Sequence, residues 1–333
     1  MRVVVTGGAG YIGSHTVTLF LQAGHDVLII DNFANAAEDV PDRVAGLAGR
    51  EAIVLRADIT QPESYLKAFE DFAPDAVVHF AGLKAVAEAV ADPLEYYRVN
   101  VGGSLTLFRI MQGTECRRLV FSSSATVYGD PERVPIDEGH PCRPTNPYGR
   151  SKLMVEEIVE DWGRSDDSLA AINLRYFNPV GAHPSARIGE APNGVPNNLM
   201  PYISDVAQGR RERLQVFGDD YGTPDGTGVR DYIHVMDLAD AHLAALELTG
   251  RASGVEALNV GTGEGYSVLE MVRAFESASG RSIPYDVVAR RPGDVAISLA
   301  DPAMAEARMG WKANLGLDEM CRDAWAFTRG RNT

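Results

Sequence analysis

A chain of 333 residues with 45% apolar and 23% charged side chains can bury a large core in two lobes, which excludes a disordered protein. Lys and Arg number 31 against 46 Asp and Glu, and the net charge of −15 excludes nucleic acid and anionic membrane surfaces as partners; an anionic small ligand needs arginines placed for it. Three cysteines without a Cys-x-x-Cys, seven histidines without ligand spacing, and no signal-like or membrane-length apolar run predict a cytoplasmic protein with free thiols, no metal and no membrane span.

Residues 2–6 are a β-branched run leading into Gly7-Gly8-Ala9-Gly10-Tyr11-Ile12-Gly13, with helical apolar spacing from Tyr11 to Gln22. Strand, glycine turn and helix suit a dinucleotide. Gly7 permits the turn, Gly10 lets backbone approach a pyrophosphate, Gly13 allows close helix packing, and the helix N–H groups face the phosphates. A second strand over 26–30 ends at Asp31, where a carboxylate takes the adenosine ribose hydroxyls and repels a 2′-phosphate. No arginine follows in Asn32-Phe33-Ala34-Asn35, so the cofactor expected is NAD rather than NADP.

Strands over 52–56 and 76–80, separated by a helical pattern over 62–72, continue the alternation and predict a Rossmann-type α/β fold with a doubly wound parallel sheet. Ligands in such a sheet lie at strand carboxyl ends, here Asp58-Ile59, Phe80-Ala81-Gly82 and Ser122-Ser123-Ser124. Asp58 reads equally as an acceptor for the adenine amino group and as an acid near a helix start. Lys84 follows the fourth strand, placed for a ribose or phosphate unless it is simply a solvated loop lysine.

Residues 92–111 read as one long helix with Asp92 as N-cap and Pro93 at its first position. The fifth strand, 119–122, runs into Ser123-Ser124-Ala125-Thr126-Val127-Tyr128-Gly129, so the Ser124 hydroxyl is a candidate partner for a reacting alcohol or carbonyl oxygen. After the proline-rich loop 130–147, Asn146-Pro147-Tyr148-Gly149-Arg150-Ser151-Lys152 opens a helix, with Asn146 as cap, Pro147 as first residue and Lys152 on the face of Tyr148. The lysine and the helix dipole favour a phenolate. A phenol ordinarily titrates near 10, so a second cation is needed to make Tyr148 a base at neutral pH. With 12 Tyr and four Lys, such a pair arises by chance roughly once in seven chains of this composition. The base assignment therefore rests on the cofactor features elsewhere. Gly163 is the expected end of this helix.

A further strand covers 169–175, and beyond Tyr176-Phe177-Asn178-Pro179-Val180-Gly181 the chain turns Pro-, Gly- and Asn-rich up to Asn198. A domain junction is expected there: residues 1–178 as the NAD lobe, with 230–260 returning to it, and 179–333 as a smaller C-terminal α/β substrate lobe. In the latter, 198–208, 237–248 and 317–327 read as helices, 213–217 and 230–235 as strands, and 218–228 as an acid-rich loop. Gly261-Thr262-Gly263-Glu264-Gly265 resembles a phosphate loop, but Ser267-Val268-Leu269-Glu270 behind it is a capping box, which makes it a turn into a helix. Arg290-Arg291-Pro292-Gly293-Asp294 is a basic turn in an acidic protein and suits phosphate.

The glycine loop, Asp31, Ser124 and the Tyr148/Lys152 pair together resemble the extended short-chain dehydrogenase/reductase family. Residues 78–86, 122–129, 175–184 and 226–235 are similar to its UDP-glucose 4-epimerase branch, with likeness from residue 1 to about the last helix. The resemblance implies reversible NAD-dependent 4-epimerisation of UDP-glucose and UDP-galactose. Tyr148 removes the proton of the 4-hydroxyl, Ser124 holds that oxygen, and the 4-hydrogen leaves as hydride to the nicotinamide, returning to the other face once the 4-keto sugar has turned over. Lys152 lowers the Tyr148 pKa and holds the nicotinamide ribose, and the nicotinamide charge is the second cation. Tyr11, Ile12, Asn32, Asn35, Phe80, Lys84 and Phe177 are implied to line NAD. Asn178, Asn198, Leu199, Gln215, Phe217, Arg230, Arg291 and Asp294 are implied to hold uridine and diphosphate, and a homodimer to pack through the helices at Asp92 and Tyr148. Two positions depart from relatives. Val99-Asn100 stands where several have an asparagine pair, and Ser298 where those restricted to glucose and galactose have tyrosine, which implies room for a 2-acetamido group and thus UDP-GlcNAc/UDP-GalNAc. Against a 4,6-dehydratase, Ala125 occupies the place of an acid; against a non-catalytic NAD sensor, the Tyr/Lys pair is kept.

Overall fold

The computed structural model describes residues 1–192, 196, 198–291 and 294–330. Pro292 and Gly293 of the basic turn, and residues 193–195 and 197 of the Pro/Gly/Asn-rich stretch, lie outside the described residues. The strands are β1 (Arg2–Thr6), β2 (Asp26–Asp31), β3 (Ile53–Arg56), β4 (Ala76–His79), β5 (Arg118–Ser124), β6 (Ala170–Tyr176), β7 (Asn178–Val180), β8 (Leu214–Phe217), β9 (Val229–His234), β10 (Gly254–Val260), β11 (Gly265–Ser267), β12 (Tyr285–Val288) and β13 (Ile297–Ser298). Seven form a sheet in the order β10-β6-β5-β4-β1-β2-β3, every pair parallel. The strand order reverses at β1, which opens a crevice above the carboxyl ends of β1 and β4.

The sheet is covered on both faces, as parallel sheets require. Alternation sends Val3 and Val5 under the helices Tyr11–Gln22 and Val235–Leu248, and Val4 under Gly103–Gly113 and Pro147–Ser165. In the C-terminal part, β9 pairs with β7 and β13 in parallel and with β11 antiparallel, while β8 pairs with β12. There the helices Leu199–Ala207, Val268–Ser279 and Leu317–Gly330 share a core containing Ile203, Phe275 and Trp325. Asn146 caps its helix through a 2.9 Å bond from the Gly149 N–H, and Ser267 and Glu270 exchange both capping-box bonds, at 3.0 and 2.7 Å.

Two expectations are corrected. The helix expected over 92–111 is helical at Pro93–Tyr96 and Gly103–Gly113, but winds as a π-helix over Tyr97–Gly102, and a short helix, Val86–Ala91, precedes it. The wider turn presents Asn100 sideways: its Oδ1 accepts from Leu83 N at 2.7 Å, and its Nδ2 donates to Leu83 O at 3.0 Å and Ser151 Oγ at 2.9 Å. The helix from Pro147 does not stop at Gly163 but reaches Ser165. A Cβ on Gly163 would lie 2.5 Å from Val255 Cγ2, so this glycine serves close packing on β10 rather than termination. Among the described residues, no helix is long and apolar enough to cross a membrane, and Cys116, Cys142 and Cys321 are free.

Candidate active site

The turn after β1 closes because its glycines have no Cβ. Gly7 has φ +72°, and a Cβ there would meet Ala81 N at 2.7 Å; one on Gly13 would meet Gly7 O at 2.2 Å. At the end of β2 the Asp31 carboxylate accepts from Ala9 N at 3.0 Å and Phe33 N at 2.8 Å, so it braces the glycine turn while facing the crevice, and burial pushes its pKa up. Asp58 accepts from Asn32 Nδ2 at 3.2 Å and from Thr60. Lys84 pairs with Glu190 at 3.1 Å.

Ser124 ends β5, and its Oγ accepts from Thr126 N at 3.2 Å and Thr126 Oγ1 at 3.0 Å. With both acceptor positions taken, the hydroxyl hydrogen is left to donate. Tyr148 and Lys152 are buried in the first turns of the helix that Asn146 caps. Lys152 Nζ donates to Ser122 O at 2.7 Å, 4.9 Å from the Phe121 ring centre and 6.0 Å from that of Tyr148. Burial lowers the Lys152 pKa to about 8, opposed by the Glu156 carboxylate. The Tyr148 pKa is raised by burial, which outweighs the Ser124 hydroxyl pulling it down. In the chain alone desolvation sets the direction of the Tyr148 shift, while the Lys152 ammonium donates to a backbone carbonyl.

All the site residues picked from the sequence line one cleft of about 1530 Å³. The glycine turn, Asp31, Asn32, Asn35, Asp58, Ile59, Phe80, Ala81, Gly82, Lys84 and Phe177 line it together with Ser124, Tyr148 and Lys152. Asn178, Asn198, Leu199, Gln215, Phe217, Arg230, Arg291, Asp294 and Ser298 continue the same lining. Arg230 pairs with Asp294 at 2.9 Å, the Arg291 guanidinium lies 3.8 Å from the Phe217 ring centre, and Ser298 is in register with Arg230 across β13 and β9.

Sequence reasoning missed Thr126 and Glu190, and noted Asn100 without its bonds to Leu83 and Ser151. Thr126 had a local signal, a Ser-x-Thr at a strand end. Glu190 had none, since its carboxylate meets Lys84 and Asn198 Nδ2, the latter at 2.8 Å, only through the fold.

A UDP-glucose 4-epimerase of Mus musculus is 55% identical to this chain over 98% of it and 96% of its own length. The chain belongs to the UDP-glucose 4-epimerase family. Solved UDP-glucose 4-epimerases superpose along its whole length. The structure from Stenotrophomonas maltophila, with bound NAD and formylated UDP-arabinopyranose, has TM-score 0.98 at 47% identity, covering 100% of this chain and 99% of that one. That from Bifidobacterium longum, in complex with NAD+ and UDP, has TM-score 0.97 at 46% identity with the same coverage. A family model described as GDP-mannose 4,6 dehydratase also matches residues 4–324. Within that wider group this 4-epimerase family member has Ala125 after the strand serine, where an acid would serve dehydration.

Proposed function

We propose that this protein interconverts UDP-glucose and UDP-galactose by 4-epimerisation with resident NAD. The observation that carries the reading is the convergence of Ser124, Tyr148 and Lys152 in one cleft, between the glycine turn and the Arg230/Arg291 wall. The turn fits a dinucleotide by its own shape, since side chains at Gly7 or Gly13 would fill the backbone cradle. Gly7, Gly10, Gly13, Asp31, Phe80 and Lys84 hold the cofactor. When bound, NAD supplies the acceptor and donor for the hydrogen on the sugar's fourth carbon.

The chain's residues do the proton work. Ser124, its lone pairs occupied by Thr126, donates to the 4-oxygen and fixes its place. Tyr148 takes the hydroxyl proton as the carbonyl forms and gives it back as the alcohol is restored. Lys152 keeps two protons beyond the one given to Ser122 O, and its charge stabilises the phenolate in a dry site. Arg230 and Arg291 hold the diphosphate in a protein of net charge −15. Lys84 comes free for the same anion by exchanging Glu190 for it.

Ser298 extends the range to UDP-GlcNAc and UDP-GalNAc, because a small half-buried side chain faces the cleft there. The protein works as a cytoplasmic homodimer. Free thiols suit a reducing compartment. The helices Val86–Ala91, Gly103–Gly113 and Pro147–Ser165, with Leu94 between the first two, expose Val90, Leu94, Leu105 and Met154, an apolar set that a second copy would cover. Purified protein without added NAD is incubated with UDP-galactose or UDP-GalNAc, and the products are resolved by chromatography. Conversion of both to their 4-epimers is expected. Conversion of UDP-galactose alone removes the Ser298 extension, and no conversion even with NAD supplied overturns the epimerase reading.

A further inference from the structure

Glu156 stands one helical turn beyond Lys152 on the Pro147–Ser165 helix and is 1% exposed. Its carboxylate accepts from Arg175 Nε at 3.1 and 3.0 Å, from Arg175 Nη2 at 2.5 Å, and from the Ser123 hydroxyl. Arg175 Nη1 donates to the Tyr128 hydroxyl at 3.1 Å, and Tyr128 donates onward to Asn259 Oδ1 at 2.7 Å. A buried ion pair is a poor source of stability, since apolar side chains of equal volume often serve as well. Its place beside the reacting groups calls for another account.

Around Lys152 lie His79 on β4, Ser122 O and the Phe121 ring on β5, and Tyr148 and Glu156 on its own helix. His79 is buried and held neutral, first by desolvation and then by the Lys152 charge. Arg175 is turned to Glu156 and Tyr128. Glu156 follows Lys152 by four residues on the same helix face and both side chains are buried, so the carboxylate's charge reaches the ammonium.

We propose that Glu156 is a positioning residue, oriented by Arg175, which keeps Lys152 an ammonium in its dry site and ties down the strand end that carries Ser124. The catalytic consequence rests on the epimerase reading; the coupling between the two side chains does not. The chain has four lysines, so ¹³Cε-lysine labelling gives a spectrum in which Lys152 is assigned by comparison with K152M. The variants are E156Q, E156D and the double variant E156Q/R175Q, which leaves no buried guanidinium without its carboxylate if E156Q alone fails to fold.

The Lys152 titration midpoint is expected to fall by roughly one pH unit in E156Q, by less in the double variant, and to stay in place in E156D. The alkaline limb of kcat is expected to move in the same order. A lower melting temperature with unmoved Lys152 midpoints in E156Q, or in the double variant where only that one folds, makes the pair a structural staple and overturns the proposal. Inactive wild-type protein with shifted midpoints would remove only the epimerase reading.

Discussion

The two walls of the cleft are built by different means. The cofactor wall is backbone: Gly7 to Gly13 shape it by lacking side chains, and Asp31 braces it from the next strand by accepting two main-chain N–H groups. The opposite wall is made of side chains held by one another, Arg230 by Asp294 and Arg291 by the face of Phe217. Backbone walls fail when an atom is added and side-chain walls when one is removed. The reacting groups stand between them, with Tyr148 and Ser124 depending on both.

The largest effect falls at that meeting point. Y148F keeps the buried ring and removes the proton acceptor, so kcat should drop roughly 10²–10⁴-fold while the melting temperature holds. Retained activity would detach the phenol from the reaction. Next comes the side-chain wall. R230M leaves Asp294 without its partner and the diphosphate without a charged donor, so KM should rise about 10–100-fold with little change in kcat. An equal loss in kcat would mean that Arg230 acts at the reacting centre.

The backbone wall should respond to one methyl group. A Cβ on Gly13 would fall 2.2 Å from Gly7 O, and G13A is expected to cost about 1–3 kcal/mol of stability and to lower NAD retained through purification. Unchanged retention would show that the turn yields without disturbing the cradle.

The same contrast decides what the sequence discloses. The backbone wall is legible because its requirements are local: seven residues carry the turn, and Asn146 and Ser267 announce their helices by capping chemistry within three positions. Of the side-chain wall only the basic turn at Arg291 is legible by itself; the rest was reached by resemblance, since nothing in the spacing pairs Arg230 with Asp294 or Lys84 with Glu190. The π-helical turn was illegible because Asn100 is drawn out by the Leu83 backbone and by Ser151, which only the fold brings near. Gly163 misled for a similar reason. A glycine near a helix end usually terminates it, but here β10 presses Val255 against that position. The direction of the Tyr148 shift escaped because desolvation belongs to the packed state and leaves no mark in the spacing of a tyrosine and a lysine.

Lys152 gives the smallest effect, in the opposite sense to the others. Burial lowers its pKa from the ordinary 10.5 to about 8, so charging it costs the folded state energy that the unfolded chain does not bear. For a depressed lysine that cost is present in full below pH 8 and fades as pH rises from about 8 to 10.5, where the unfolded side chain also loses its proton. K152M gives up the bond to Ser122 O but lifts the penalty, and should be the more stable protein by about 1–2 kcal/mol at pH 7, with the gap closing above pH 8. Urea unfolding of both proteins at pH 7 and pH 9.5 checks the sign and the window together. A K152M protein less stable at pH 7 would mean that the lysine is bound more tightly by its neighbours than burial disfavours it. The dry site would then be a source of stability, and the line between the supporting wall and the reacting groups would have to be redrawn.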